Sequence, residues 1–300
     1  FTSGLIPKQT GISRLGIRLA WEKIVIARKI RNLFFSMLLC RQDYFSLYKR
    51  LFLECGFPFE EKIDWRRPFI IGIKESKILS INPSSLDFPR KYPPNCQYAP
   101  SRVDLNREDP MLNRQYARVM EEVCLQKQQR PDTKIIYCFS STVMGFEKRS
   151  KIIFMKIRDI CLRNPQFVFI LSVGKYHNTS YLLPCPSNLY VFQQVPQLHL
   201  LSYCDLMITS GGMNSIAECI EKEVPMLVCP LSLKSDQLGN SARVVYHGLG
   251  LRARIKLDSS RTIEKRIVQL FENYATFKRN LSMMRTKILA ESTAINTEVI

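Results

Sequence analysis

Residues 205–248 read DLMITSGGMNSIAECIEKEVPMLVCPLSLKSDQLGNSARVVYHG, and this stretch decides the fold. The apolar run at 206–208 predicts a buried strand, Gly211 and Gly212 end it, and the pattern at 213–222 predicts a helix. Unpaired backbone N–H groups and the positive end of the dipole favour a phosphate at a helix N-terminus. The stretch therefore predicts a glycine turn that can hold a phosphate group.

The chain then repeats this unit of strand, loop and helix. Residues 224–229 predict a second buried strand, Pro230 ends it, and a polar loop with Asp236 and Gln237 leads into a helix from about Asn240. Open parallel sheets place ligands at the carboxyl ends of their strands. Two such units in succession predict one site built from two adjacent loops.

These residues resemble the donor-binding half of the UDP-glycosyltransferase superfamily, especially its bacterial macrolide and antibiotic glycosyltransferase branch. The resemblance is specific over residues 134–250 and weak over residues 21–100. It implies an α/β protein with two Rossmann-like domains (the GT-B fold), of which the first is incomplete and the second is a doubly wound parallel sheet. A sugar nucleotide would bind in the second domain.

The pattern around the decisive stretch agrees with this architecture, because strands alternate with helices at the spacing of a parallel sheet. Further strands are predicted at 134–139, 167–173 and 189–192, further helices at 111–126, 148–161 and 198–203, and one or two closing helices at 261–289. The predicted organisation is a partial acceptor-side domain at 1–105, a linker at 106–132, a nucleotide-sugar-binding domain at 133–275 and a C-terminal helix at 276–300 that can return to the first domain.

The N-terminal part carries weaker signals. Residues 21–54 predict a basic amphipathic helix, whose longest uncharged run is far shorter than the roughly 20 residues of a membrane span. Such a helix either docks on a core or lies on an anionic membrane surface, and both interpretations stay open. Short strands are predicted at 69–73 and 77–81, and the proline-rich residues 82–100 must run extended.

Composition bounds the function classes. The 300 residues are 46% hydrophobic and carry 44 Lys and Arg against 26 Asp and Glu, a net charge of +18. This charge favours phosphate-bearing ligands or anionic surfaces, but no nucleic-acid-binding module accompanies it, so nucleic-acid binding is not predicted. Ten cysteines without paired spacing predict reduced thiols and a cytoplasmic protein. The chain begins at Phe1, which predicts a fragment or a missing start.

The resemblance assigns a role to each group of candidate residues. Glycines and hydroxyl or amide side chains near the helix start would hold the diphosphate, Glu218 the ribose, Val195 and Gln197 the base, and Asp236 with Gln237 the sugar hydroxyls. The predicted nucleotide-sugar-binding residues are Ser141, Thr142, Val195, Gln197, Ser210, Gly211, Gly212, Asn214, Ser215, Glu218, Asp236, Gln237 and Asn240. The alternatives are an ordinary tight turn, a solvated acidic loop, a serine-rich loop without a ligand and, for Asn240, a helix cap.

Three positions depart from the family pattern. Ser210 stands where the family commonly has His, Gln194 where several branches have Trp, and Ser140 where a glycine is usual. A hydroxyl donates a hydrogen bond but carries no charge. No catalytic base is predicted, because the family places its His in an N-terminal part not matched here, and the three histidines of this chain (His177, His199 and His247) are interpreted as structural.

The resemblance implies transfer of a hexose from a UDP-sugar or similar nucleotide sugar to an acceptor hydroxyl with inversion, without a cofactor or an essential metal. The partners would be the donor and a hydroxyl-bearing small-molecule or lipid acceptor. One alternative is a donor-binding relic that no longer catalyses and acts as a partner subunit. Another is a transferase that forms a glycolipid at the inner face of a membrane. The predicted basic amphipathic helix suggests this alternative.

Overall fold

The structure of the protein is a computed structural model, which describes residues 43–64, 72–80, 82–89, 96–98, 103–105, 114–139, 147–174, 178–232 and 236–298. The chain divides into two compact units. The larger unit includes residues 80–89 and 98–300, and the smaller unit lies within residues 7–79 and 90–97. The candidate site belongs to the larger unit.

The described residues of the smaller unit form two helices and a short antiparallel pair of strands. Helix α1 (Asp43–Glu54) is followed by α2 (Phe59–Lys62), and β1 (Ile63–Asp64) pairs with β2 (Gly72–Ile73). Gly56 has a φ of +70° and donates its N–H to the Leu53 carbonyl at 3.0 Å, so α1 ends where the sequence predicts. Helix α1 is the described part of the helix predicted at 21–54, and the remainder, with its proposed membrane surface, lies outside the described residues.

Two further short strands follow. Strand β3 (Ile78–Ser80) lies within the strand predicted at 77–81 and pairs with β4 (Cys96–Tyr98). Within the described ranges, no helix combines the length and the apolar character needed to cross a membrane.

The larger unit is built on a six-stranded parallel sheet, which confirms the doubly wound fold. Its strands are β5 (Lys134–Phe139), β6 (Phe167–Ser172), β7 (Leu189–Phe192), β8 (Leu206–Thr209), β9 (Met226–Val228) and β10 (Gly250–Arg252). Their order across the sheet is β10-β9-β8-β5-β6-β7, and each neighbouring pair is parallel. The strand order therefore reverses between β5 and β8, and ligands of such sheets bind in the crevice at this point.

Helices cover both faces of the sheet, because successive side chains of each strand point to opposite faces. In β5, Ile135 and Tyr137 belong to one buried cluster, whereas Ile136 and Cys138 belong to the other. The helices are α3 (Arg114–Gln129), α4 (Glu147–Arg163), α5 (Gln197–Leu201), α6 (Met213–Glu221), α7 (Gln237–Tyr246), α8 (Ser260–Glu272) and α9 (Tyr274–Glu298). Helices α3, α6, α7 and α9 contribute to the first cluster, and α4 and α8 to the second.

Two differences from the sequence prediction concern α7 and β10. Helix α7 begins at Gln237 rather than near Asn240, and β10 was not predicted at all. Gly250 explains why a strand fits there: a Cβ atom at this position would lie 2.0 Å from the carbonyl oxygen of Met226, so the two strands approach too closely for any side chain.

The C-terminal helix and the linker region both pack within the larger unit. The Glu291 carboxylate of α9 accepts hydrogen bonds from the N–H groups of Ser84 and Ser85, at 2.9 and 2.7 Å. Residues 84–89 fall within the range predicted as the first domain but belong to the larger unit, so the return of this helix to the first domain stays a prediction. Helix α3, which lies in the predicted linker, buries Met120 and Val123 in the core. The predicted domain boundaries themselves stay a prediction.

Candidate functional site

The candidate site lies at the carboxyl edge of the sheet, where β5, β8 and β9 end. The loop after β5 contains Ser141 and Thr142, which lie outside the described residues together with Ser140. Their predicted contact with a diphosphate therefore stays a prediction. In the loops after β8 and β9, the structure describes Ser210, Gly211, Gly212, Asp236 and Gln237.

The glycine turn after β8 has the geometry that its sequence predicts. Ser210 is buried, Gly211 has a φ of +90°, and Gly212 is the extended residue that precedes the first turn of α6. Gly212 is the N-cap residue of α6 and makes no side-chain capping hydrogen bond, and no acidic residue lies in the first turn of this helix. The N-terminus of α6 thus keeps the backbone N–H groups and the positive dipole end that suit an anion.

The glycine turn lies directly against the start of α7. A Cβ atom on Gly211 would approach Val228 Cγ1 to 2.8 Å and the Gln237 carbonyl oxygen to 3.3 Å. Because real Cβ atoms do not come this close to other atoms, the absence of a side chain is what lets the two loops meet. The sequence predicted that these glycines let the backbone approach a ligand closely. The structure shows that Gly211 also lets the turn approach the second loop.

Asn240 joins the two loops by hydrogen bonds. Its side-chain amide donates to the Gly211 carbonyl oxygen at 3.0 Å and to the Asp236 carboxylate at 2.9 Å, and the residue is 2% exposed. The adjacent loops predicted from the sequence are therefore one structural unit. Asp236 is half-buried, so its carboxylate remains within reach of a ligand.

The Gln237 side chain supports the loop rather than extending toward an open space. Its Oε1 atom accepts hydrogen bonds from the N–H groups of Leu231 and Ser232, at 2.8 and 3.0 Å, and the residue is 7% exposed. These contacts fix the path of the chain after β9. The predicted grip of Gln237 on sugar hydroxyls stays a prediction, whereas Asp236 is placed more openly.

A polar network links α6 to the short helix α5. Gln197 Nε2 donates to the Glu218 carboxylate at 2.6 Å and lies 3.3 Å from Ser215 Oγ. The Tyr137 hydroxyl donates to Gln197 Oε1 at 3.0 Å. Glu218 and Ser215 are buried, so their polar atoms depend on these partners. The structure therefore brings together the residues predicted to contact the base, the ribose and the diphosphate.

The remaining predicted residues divide between the core and the surface. Val195 is 8% exposed and belongs to the buried cluster, whereas Asn214 is exposed in the first turn of α6. Tyr137 was not predicted as part of the site. A tyrosine within an otherwise apolar buried strand was the available signal, since a buried hydroxyl needs a partner.

A small pocket lies beside the glycine turn at the ends of β5, β8 and β9. It is lined by Cys138, Phe139, Ile153, Ile208, Thr209, Ser210, Cys229 and Leu231. Burial raises the pKa of Cys229 to about 12 and that of Cys138 well above its usual range. The two thiols stay protonated near neutral pH and are poor nucleophiles.

Arg149 was also missed by the sequence interpretation. It lies in the first turn of α4, and its Nη1 atom donates a hydrogen bond to the carbonyl oxygen of Leu231. The helix is rich in Lys and Arg, so the sequence does not distinguish Arg149 from the other basic residues. Its hydrogen bond to Leu231 does.

The histidines of the described residues have structural partners. His199 Nδ1 lies 2.9 Å from the Tyr116 hydroxyl, and His247 Nε2 donates to the Leu86 carbonyl oxygen at 3.1 Å. Burial lowers the pKa of His247 below its ordinary value. These contacts agree with the structural interpretation of both residues, and His177 lies outside the described residues.

Comparison with known proteins places the match over the site. Residues 178–290 match the family model described as UDP-glucoronosyl and UDP-glucosyl transferase. The NDP-glycosyltransferase YjiC of Bacillus subtilis (strain 168) is 37% identical over 98 residues, which are 33% of this chain and 24% of that protein. The zeaxanthin glucosyltransferase of Pantoea ananas is 34% identical over 101 residues, which are 33% of this chain and 22% of that protein. The matched segments thus span about a quarter of these relatives.

Solved structures extend the likeness beyond the matched segment. The spinosyn rhamnosyltransferase SpnG, complexed with spinosyn aglycone, has a TM-score of 0.61 at 16% identity over 94% of this chain and 84% of that one. The calicheamicin glycosyltransferase CalG4 has a TM-score of 0.57 at 16% identity over 85% and 59% of the two chains. At these identities the likeness shows the fold, and it agrees with the architecture predicted from the sequence.

Proposed function

We propose, on the premise that this chain belongs to the UDP-glycosyltransferase superfamily and has the GT-B fold, that the protein moves a hexose from a nucleotide sugar to an acceptor hydroxyl. The donor is proposed to be UDP-linked, and the transfer is proposed to invert the anomeric carbon. The relatives support a nucleotide-sugar donor through their names, which include an NDP-glycosyltransferase and a glucosyltransferase.

The contact of Asn240 with both loops is the observation that carries the proposal. Its amide donates to the Gly211 carbonyl at 3.0 Å and to the Asp236 carboxylate at 2.9 Å, so the glycine turn and the acidic residue lie close together, which supports one shared site. A nucleotide sugar needs both features close together, since its diphosphate and its sugar are joined by one bond. Two loops far apart in the fold could not both contact one such ligand.

The proposed roles follow the chemistry of each group. The backbone N–H groups at the start of α6 hold the diphosphate and stabilise the charge that grows on it as the glycosidic bond breaks. Glu218, held by Gln197, accepts hydrogen bonds from the ribose hydroxyls. Asp236 accepts hydrogen bonds from hydroxyls of the hexose. This arrangement needs no metal, because amides and side-chain donors supply the stabilisation.

Asp236 provides the sharpest test of the sugar contact. Exchange of Asp236 for Asn keeps the size of the side chain but removes its charge, so the hydrogen bonds from the sugar weaken. We expect kcat/KM for UDP-hexose to fall about 10- to 100-fold, the range of a lost hydrogen bond to a charged group. The measurement is UDP release from UDP-glucose and other UDP-hexoses in the presence of a panel of hydroxyl-bearing acceptors.

Glu272→Gln is the matched control, because Glu272 is exposed at the end of α8 and its loss removes the same charge. UDP-hexose binding with no release of UDP for any acceptor would favour the alternative of a donor-binding relic. If calorimetry shows that the purified protein binds neither UDP nor a UDP-hexose, the proposed function is wrong.

A further inference from the structure

Arg149 reaches across the carboxyl edge of the sheet. It lies in the first turn of α4, the helix that follows β5, and its guanidinium donates to the carbonyl of Leu231 in the loop that follows β9. Strand β8 lies between β5 and β9, and neighbouring strands are about 4.8 Å apart. The hydrogen bond of Arg149 thus joins the helix after β5 to the loop after β9, and the strand between them, β8, is followed by Ser210 and the glycine turn.

The neighbouring turn of α4 supports this position. Ile153 lines the same pocket as Ser210 and Leu231, and it follows Arg149 by four residues. Residues four apart lie on one face of a helix. Arg149 therefore lies one helical turn before a residue that lines the pocket, and its hydrogen-bond partner Leu231 lines the same pocket.

We propose that the guanidinium of Arg149 binds the diphosphate of the nucleotide-sugar donor. The assignment rests on the proposed function and adds to it the cation that faces the donor's negative charge. Within the described residues, the carbonyl of Leu231 is the hydrogen-bond acceptor of Arg149, and a guanidinium carries five N–H groups. Donors therefore remain for phosphate oxygens, and the planar group can hold two of them at once.

The contact with Leu231 prepares the guanidinium for this role. A long, flexible side chain loses rotamer freedom when it binds a ligand, which weakens binding. Arg149 is already held at the loop after β9, so less freedom is lost on binding. A fixed positive charge beside the leaving diphosphate also stabilises the charge that develops there during transfer.

Calorimetric titration with uridine, UDP and UDP-glucose tests the assignment, because uridine lacks the phosphates. For Arg149→Gln we expect the affinity for UDP to fall about tenfold or more, with the affinity for uridine unchanged. Arg149→Lys keeps the charge without the planar group and should lie between the wild type and Arg149→Gln. Thermal unfolding of each variant reports whether the fold is kept.

Lys151→Gln is the matched control. Lys151 lies on the same helix, and its ammonium group lies 4.7 Å from the centre of the Tyr181 ring, so the exchange removes one charge away from the pocket. We expect the affinities of this variant for UDP and uridine to equal those of the wild type. An equal loss of UDP affinity in both variants would mean that overall charge alone acts, and would overturn the assignment.

Two other outcomes separate this assignment from the proposed function. A wild-type protein that binds UDP more tightly than uridine, with the same preference in Arg149→Gln, overturns the role of Arg149 and leaves the proposed function standing. A loss confined to UDP-glucose means that Arg149 acts only through the loop that carries Asp236, and also overturns it. A wild-type protein that binds none of the three ligands overturns both.

Discussion

Gly211 combines two requirements that only glycine meets. Its φ of +90° is strained for any residue with a Cβ atom, and the space beside it is filled by Val228 and the start of α7. The positive φ lets the chain turn from β8 into α6. The close contact holds the turn against the loop that carries Asp236.

We predict that Gly211→Ala lowers the free energy of unfolding by about 2 to 4 kcal/mol, the sum of backbone strain and overpacking. Gly174 separates the two causes, because its φ is +94° but a Cβ atom added there would lie more than 4 Å from every described residue other than its chain neighbours. Gly174→Ala should therefore cost only the backbone strain, about 1 to 2 kcal/mol. Equal losses in urea denaturation of the two variants would contradict the close contact at Gly211.

Residue types predicted some contacts of the site and not others. The glycine turn followed from Gly211 and Gly212, because their conformational freedom is a property of the residue itself. The hydrogen bonds from the backbone after β9 to Gln237 could not be predicted. An amide side chain can bind many polar groups, and the fold determines which of them lies near it. Its part in a sugar contact therefore stays a prediction.

Helix α7 is fixed in place by the short segment at residues 84–89. Arg243 of α7 and Asp87 form an ion pair at 2.9 Å, with side chains 5% and 4% exposed. Asp87 also accepts a hydrogen bond from the Tyr98 hydroxyl at 2.8 Å, and Arg243 lies over the ring of Phe88. Because α7 begins with Gln237, this pair also holds the element that carries the second loop of the site.

We predict that Asp87→Asn lowers the free energy of unfolding by about 3 to 5 kcal/mol, because the guanidinium of Arg243 is left buried without its counter-charge. The ion pair of Arg285 with Glu221 is a useful comparison, since the Arg285 side chain is 40% exposed. Glu221→Gln should cost about 1 kcal/mol or less. Chemical denaturation measures both, and a similar small loss in the two variants would show that the buried pair is not needed.

Element boundaries were less predictable than element types. Strands β5 to β9 and the helices between them were predicted, because apolar runs and helical periodicity are local properties of the sequence. The start of α7 at Gln237 and the strand β10 were not predicted. Both depend on neighbours distant in sequence, and the three residues of β10 are held by pairing with β9.

At the scale of the whole molecule, the site depends on the order of the strands. The glycine turn, the Asp236 loop and Arg149 come from three separate parts of the chain, and the order β9-β8-β5 places them side by side. A ligand that contacts all three would bind only the folded protein. Such a ligand stabilises the folded state in proportion to the logarithm of its concentration relative to its Kd.

We predict that UDP at about 100 times its Kd raises the melting temperature by about 4 °C, which corresponds to about 2.7 kcal/mol of stabilisation. Glu218→Gln should show a smaller rise at the same UDP concentration, because the proposed ribose contact weakens. Differential scanning calorimetry measures the rise for each protein relative to its own ligand-free value. The same rise in both proteins would contradict the role of Glu218.

The sequence by itself determined the class of fold, the glycine turn and the acidic loop, because these depend on local hydrophobic patterns and on residues with special backbone freedom. Three contacts could be found only in the folded protein: Asn240 joins the two loops, Gln237 holds the backbone after β9, and Arg149 binds the carbonyl oxygen of Leu231. The physical reason is that hydrogen bonds between side chains and distant backbone groups depend on the order of the strands, which no local pattern contains.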